Sequence, residues 1–190
     1  AITEIEVALQ RWQNPISIVQ FFPSDDKAID FVITLRNEKS IRPEFIEFYS
    51  SHSLDLLRKK QNEDPKVVGM PPIPDYAKSA VFFDLQFDPE SKDNDYSKLE
   101  EIVCGCGSTH AMSWAGYEQR DLERFKNFRH VLPETVNTII AERKKKIPDL
   151  YKLGTDLAVP DHALEEIWAF YKSILEEAGL EWVAFGHIGN

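Results

Sequence analysis

Apolar and polar positions along the 190-residue chain change period several times, which predicts strands and helices in mixed order. Ile2, Ile5, Val7 and Leu9, with Glu4, Glu6 and Gln10 between them, predict a short strand. Asn14-Pro15 reads as a turn. Ile16, Ile18, Val19, Phe21 and Phe22 predict a stronger strand. Ser24 is placed to cap a helix, with Asp25 and Asp26 in its first turn and Ala28, Ile29, Val32, Ile33 and Leu35 at helical spacing. Ile41, Phe45, Ile46 and Phe48 return to a strand, with Pro43 at its start or on an edge. Ser53 is a candidate cap for a short helix through Leu54, Leu56 and Leu57. Between Gln61 and Asp75 stand Pro65, Gly69, Pro71, Pro72 and Pro74, the composition of a mobile connector.

Beyond it, Ala80, Val81, Phe82, Phe83, Leu85 and Phe87 form the clearest strand pattern of the chain. A polar turn over 88–95 leads to a helix over Ser97–Val103 that ends at Gly105 and Gly107. His110–Ala115 reads as a short strand, and Tyr117–Lys146 as a long helical stretch interrupted by Pro133. Gly154–Val159 reads as a strand closed by Pro160. Asp161 is placed to cap a helix with Leu164, Ile167, Trp168, Tyr171, Ile174 and Leu175 on one side. Glu181–Phe185 reads as a final buried strand, approached through Leu180 and running into Gly186-His187-Ile188-Gly189. Strands and helices mix without a regular repeat, so the expected class is α+β, an antiparallel sheet with helices packed mainly on one face. Each side of the connector carries a β-α-β unit, which gives two ferredoxin-like halves, about 1–62 and 76–190, joined by 63–75.

Composition narrows the partners. Hydrophobic residues make up 43% of the chain and charged residues 28%, ordinary for a globular domain, while the formal net charge is -10. That charge argues against an electrostatic grip on nucleic acid or an anionic membrane, yet a few local cations suffice for a small anionic substrate. No apolar run is long enough for a transmembrane segment. The first residue is Ala1 rather than Met and the last strand pattern runs into the final residues, which reads as a piece of a longer protein. Cys104 and Cys106 read as two reduced thiols on a helix or its end, in a reducing compartment. A cytoplasmic location follows, with peripheral membrane association as a further expectation.

No G-x-S-x-G, P-loop or H-E-x-x-H motif occurs. The chemistry-bearing candidates are few. Arg129 lies beside Phe125 and Phe128, and an Arg on an inner helix face can hold a carboxylate bidentately. Arg143 competes for that role from the cationic run that ends in Lys144, Lys145 and Lys146, and Lys152 stands just before Gly154 and Asp156. His187, set between Gly186 and Gly189, can present its imidazole with little steric cover. Without further information these residues describe an α+β domain with an anion pocket, equally compatible with a free-standing small-molecule-binding or regulatory module without catalysis.

Two stretches carry a resemblance. Leu153-Gly154-Thr155-Asp156-Leu157-Ala158-Val159-Pro160, followed by a helix and then Phe185-Gly186-His187-Ile188-Gly189-Asn190, is similar to the C-terminal region of the FAD-linked oxidases, the D-lactate dehydrogenase and glycolate oxidase group with a vanillyl-alcohol-oxidase-type flavin domain. The stretches from Phe128 to Asn137 and from Ile41 to Phe48 are similar to the same family. The resemblance implies that this chain is the substrate-binding cap of a larger flavoenzyme, whose FAD is bound mainly by an N-terminal domain outside this chain. It implies hydride transfer from a small 2-hydroxy acid, D-lactate or glycolate, to the flavin. The partners implied are that flavin domain and an electron-transfer partner, and the cap alone is expected to be inactive. Among site residues, it implies substrate-carboxylate binding by Arg129, with Arg143 and Lys152 as further substrate contacts. His187 is implied as a catalytic residue and as one ligand of a divalent metal (Zn, Mn or Fe).

Overall fold

Residues 3–8, 15–63, 70–87 and 92–188 are described by the computed structural model. Strand β1 (Ile16–Phe22) is buried along six of its seven positions. The chain then turns into helix α1 (Asp25–Asn37), where the Ser24 side chain accepts a hydrogen bond from the Lys27 backbone N–H, as a cap residue should. Strand β2 (Pro43–Tyr49), helix α2 (Ser51–Glu63) and strand β3 (Ser79–Leu85) follow. Helix α3 (Lys92–Gly105), strand β4 (Ser113–Gly116), helix α4 (Gln119–Lys144), helix α5 (Leu164–Glu177) and strand β5 (Phe185–His187) complete the order.

The strands form one antiparallel sheet in the order β4-β1-β3-β2-β5. The units β1-α1-β2 and β3-α3-β4 interleave, so that β1 and β3 lie side by side at the centre. Every pairing in the sheet joins a strand from before 63–75 to a strand from after it. The class is therefore α+β with an antiparallel sheet, and the connector divides the chain without dividing the sheet.

Because side chains alternate across a strand, the sheet feeds two cores. On one face Ile18, Phe22, Phe48, Val81 and Phe83 pack with Ile29, Val32 and Leu35 of α1 and with Leu99, Ile102 and Val103 of α3, and Trp168 of α5 closes the edge on Phe48. Three of the five helices among the described residues thus share this face. On the other face Val19, Phe21, Tyr49, Ala80 and Phe82 pack with Leu54 and Leu57 of α2 and with Phe125, Phe128 and Leu132 of α4. Strands covered on both faces explain the near-continuous apolar runs of β1 and β3.

Some predicted elements differ. Residues 3–8 form no strand, and Ile5 and Val7 are exposed. Residues 151–160 are irregular, with Leu153 and Leu157 exposed; the stretch pairs with neither edge strand of the sheet, β4 or β5. The last strand spans Phe185–His187 rather than 181–185, and Leu180 is exposed; the backbone of Ala184 is tied instead to Ser50, whose N–H donates to its carbonyl (2.9 Å). Helix α4 runs through Pro133 without a break. Helix α3 begins five residues before the predicted Ser97, and the free thiols Cys104 and Cys106 stand at its end. In the connector, residues 64–69 lie outside the described residues. Its described end is pinned to α2: Arg58 donates to the carbonyls of Pro74 and Ala77, and Gln61 exchanges hydrogen bonds with Pro71 and Ile73.

Candidate functional site

The α2/α4 face of the sheet carries a polar cluster at the β2–β5 edge. Glu47 of β2 pairs directly with His187 of β5, so both side chains leave the same face. Tyr49, two residues on, shares that face. Helix α4 crosses it, laying Phe128 on the Tyr49 ring with centroids 4.5 Å apart and Phe125 near Phe82. The next residue after Phe128 is Arg129, whose guanidinium therefore arrives above Phe45, 5.3 Å from the ring centroid. Pro133 stands four residues further along α4, so the Arg129 carbonyl lacks the N–H it would otherwise accept.

Three groups converge on one buried carboxylate. Arg129 Nη2 donates to Glu47 Oε1 at 2.7 Å, and His187 Nε2 lies 3.2 Å from the same oxygen and 3.0 Å from Arg129 Nη2. Tyr49 Oη donates to Glu47 Oε2 at 2.9 Å. Glu47 is 5% exposed, whereas the side chains of Arg129 and His187 are 38% and 54% exposed. A buried carboxylate is costly unless paired and hydrogen-bonded, and here both oxygens have partners. Burial, reinforced by the Glu47 charge, pushes the Tyr49 phenol well above its ordinary range, so Tyr49 remains a neutral donor. Further along the same face Ser17 donates to Asp84 across β1 and β3; burial raises the Asp84 carboxyl, against the pull of that hydroxyl.

His187 Nε2 sits between a donor and an acceptor. In the neutral ring with the proton on Nδ1 it accepts from Arg129; once protonated it donates to Glu47. The arrangement can hold a small anion on the exposed side of the guanidinium and receive a proton beside it.

Among the sequence candidates, the structure brings Arg129 and His187 together, 58 residues apart in the chain. It does not bring Arg143 or Lys152 to them. Arg143, fourteen residues or about 20 Å further along α4 at 1.5 Å per residue, pairs with Glu181 at 2.7 Å. Lys152 donates to Asn137 at 3.0 Å in the irregular stretch after α4. Asp156 is exposed. Glu47 and Tyr49 carry no motif and were missed by sequence reasoning. The available signal was a lone Glu between Ile46 and Phe48, in a chain with helices enough to cover both faces of its sheet.

The divalent metal implied by the resemblance finds no donor set here. Among the described residues no group of three His, Cys, Asp or Glu side chains could hold an ion. His187 and Glu47 are two donors, and the Arg129 guanidinium stands within bonding distance of both, so a dication between them would meet a fixed positive charge. Also among the described residues, no helix is long and apolar enough to cross a membrane.

No match is found among curated proteins. A family model described as FAD linked oxidases, C-terminal domain, matches residues 13–190, a span that contains all five strands and the Glu47–Arg129–His187 cluster. A match over nearly the whole length, together with the mixed antiparallel fold, shows that the chain belongs to the FAD linked oxidases, C-terminal domain, family.

Proposed function

We propose that this domain is the substrate-binding cap of an FAD-dependent oxidoreductase acting on a small 2-hydroxy acid of the D-lactate or glycolate type. Membership of an FAD-linked family implies a flavin-binding partner domain. In this reading the chain offers the substrate-side surface to that flavin domain. The observation that supports the reading most is the meeting of a guanidinium and an imidazole, both accessible, above one buried carboxylate.

The roles follow from the donors. Among the described residues the hydrogen bonds of Arg129 run through Nη2, which leaves Nη1–H, on the other side of the guanidinium, to donate a charge-assisted hydrogen bond to one oxygen of a substrate carboxylate. The 2-hydroxyl of such a substrate falls beside His187, whose Nε2 lone pair, released from Arg129 Nη2 as substrate binds, takes the hydroxyl proton. The imidazolium so formed turns to Glu47, already 3.2 Å away. Phe45 beneath the guanidinium and Phe82 beyond it keep the floor apolar. FAD, when bound in the partner domain, supplies the two-electron acceptor for the hydride leaving the alpha carbon.

The test is anaerobic mixing of the full-length flavoprotein with glycolate and with ethylene glycol, which lacks the carboxylate. Loss of oxidised-flavin absorbance with glycolate alone is expected, and Arg129→Met should raise the glycolate concentration required by about 10²-fold or more. Equal reduction by the two compounds, or an unchanged response in Arg129→Met, overturns the reading.

A further inference from the structure

We infer that Glu47 is the positioning residue of this site, with Tyr49 as the donor that fixes it; the inference rests on the reading of Arg129 as the carboxylate binder. Arg129 and His187 come from different elements, α4 and β5, and both are partly exposed. Exposed long side chains sample many rotamers, and a productive geometry requires them held. Among the described residues, the polar side-chain contacts of both groups are with each other and with Glu47 Oε1. Glu47 itself has little freedom. It stands on a paired strand with its carboxylate plane set by two opposed contacts, Tyr49 Oη on Oε2 and Arg129 Nη2 on Oε1. Tyr49 is 1% exposed and its ring carries Phe128, the residue before Arg129. One strand therefore sets both the helix position and the guanidinium orientation, through Tyr49 and Glu47 respectively.

The arrangement also fixes the charge. Glu47 and Arg129 cancel, so a substrate anion meets a guanidinium that is already neutralised on one side. The pair then serves placement more than raw affinity, and removing the Glu47 charge separates these two effects. In Glu47→Gln the guanidinium keeps its charge and loses its anchor. Substrate should bind as well or better while reacting from the wrong place.

The experiment compares Glu47→Gln, Tyr49→Phe and Arg129→Met in the full-length flavoprotein, with steady-state kinetics on D-lactate and glycolate and circular dichroism on each variant. For Glu47→Gln, kcat should fall by on the order of 10²-fold with KM unchanged or lower. Tyr49→Phe, which keeps the ring and removes one donor, should lower kcat in the same direction by a smaller factor and lose part of its effect in the Glu47→Gln background. A kcat within about twofold of the parent in both single variants overturns the inference, as does a rise in KM without a fall in kcat. If Glu47→Gln does not fold, Tyr49→Phe decides by the same criteria. Arg129→Met separates the two levels. If it abolishes turnover while the Glu47 and Tyr49 variants keep theirs, only the positioning role fails; if it too is without effect, the carboxylate reading fails with it.

Discussion

Tyr49 and Glu47 occupy alternate positions of β2 and share a face, so the phenol sits where it can do nothing but donate to the carboxylate. Tyr49→Phe leaves Glu47 Oε2 buried without that partner, and urea denaturation should show a loss of about 1–3 kcal/mol. Asp25 presents a different case. It caps α2 from outside, accepting from the Ser51 N–H at 2.7 Å and from the Ser51 hydroxyl at 2.9 Å. Burial nonetheless raises its carboxyl above the ordinary range, outweighing both hydrogen bonds. The folded state then holds this proton to higher pH than the unfolded chain does, so the group's contribution to stability falls as pH rises through its folded pKa and is fully unfavourable above it. Asp25→Asn should therefore compare best with the parent near neutrality and worst in acid below the ordinary aspartate range. Denaturation midpoints of the two proteins across that window check the sign. Local rules made Arg129 and His187 visible as residues, from the Phe125-x-x-Phe128-Arg129 spacing and the Gly-His-x-Gly run. Glu47 was hidden because a charged residue in an alternating strand ordinarily points to water. Here the second face is covered too, and only the three-dimensional arrangement shows that the outward side is another interior.

Helix α4 shows the same limit at the scale of an element. A proline within a helical pattern predicts an interruption, yet α4 continues for 26 residues because Phe125, Phe128 and Leu132 bury its apolar side on the sheet. Tertiary packing overrides a local cost of about 3 kcal/mol relative to alanine. That cost falls at the turn that carries Arg129. Pro133→Ala restores an N–H donor for the Arg129 carbonyl, and we expect the unfolding free energy to rise by an amount on the order of 1–3 kcal/mol. The same change re-aims the Arg129 side chain, so turnover of a 2-hydroxy acid should decline in the more stable protein. Unchanged turnover would show that the proline has no bearing on the site. The stretch 151–160 failed in the opposite way: its apolar residues have strand character, but a strand requires a neighbour, and sequence patterns carry no information on which edges remain open.

For the whole molecule, class and strand character were legible because burial on both faces makes β1 and β3 almost wholly apolar. Strand order was not, since it depends on contacts between residues far apart in sequence. That order has a testable result. The strands β1 and β2 are not neighbours of each other, and neither are β3, β4 and β5 among themselves. Residues 1–63 and 70–190 made as separate chains should each lack sheet by circular dichroism, and should recover it on mixing. Sheet formed by either piece alone would contradict the pairing described.

The same interleaving bears on how the chain is made. A strand emerging from the ribosome normally finds a hairpin partner within a few residues, but β1 and β2 have none until β3 is complete at Leu85, 36 residues after the end of β2 at Tyr49. At about 5–20 residues per second that wait lasts roughly 2–7 s. During it, two apolar strands stand with both edges unpaired, open to any other nascent chain nearby. Synthesis speed between residues 49 and 85 is then a determinant of yield, and slowing translation there should increase aggregation while leaving the folded product's stability unchanged.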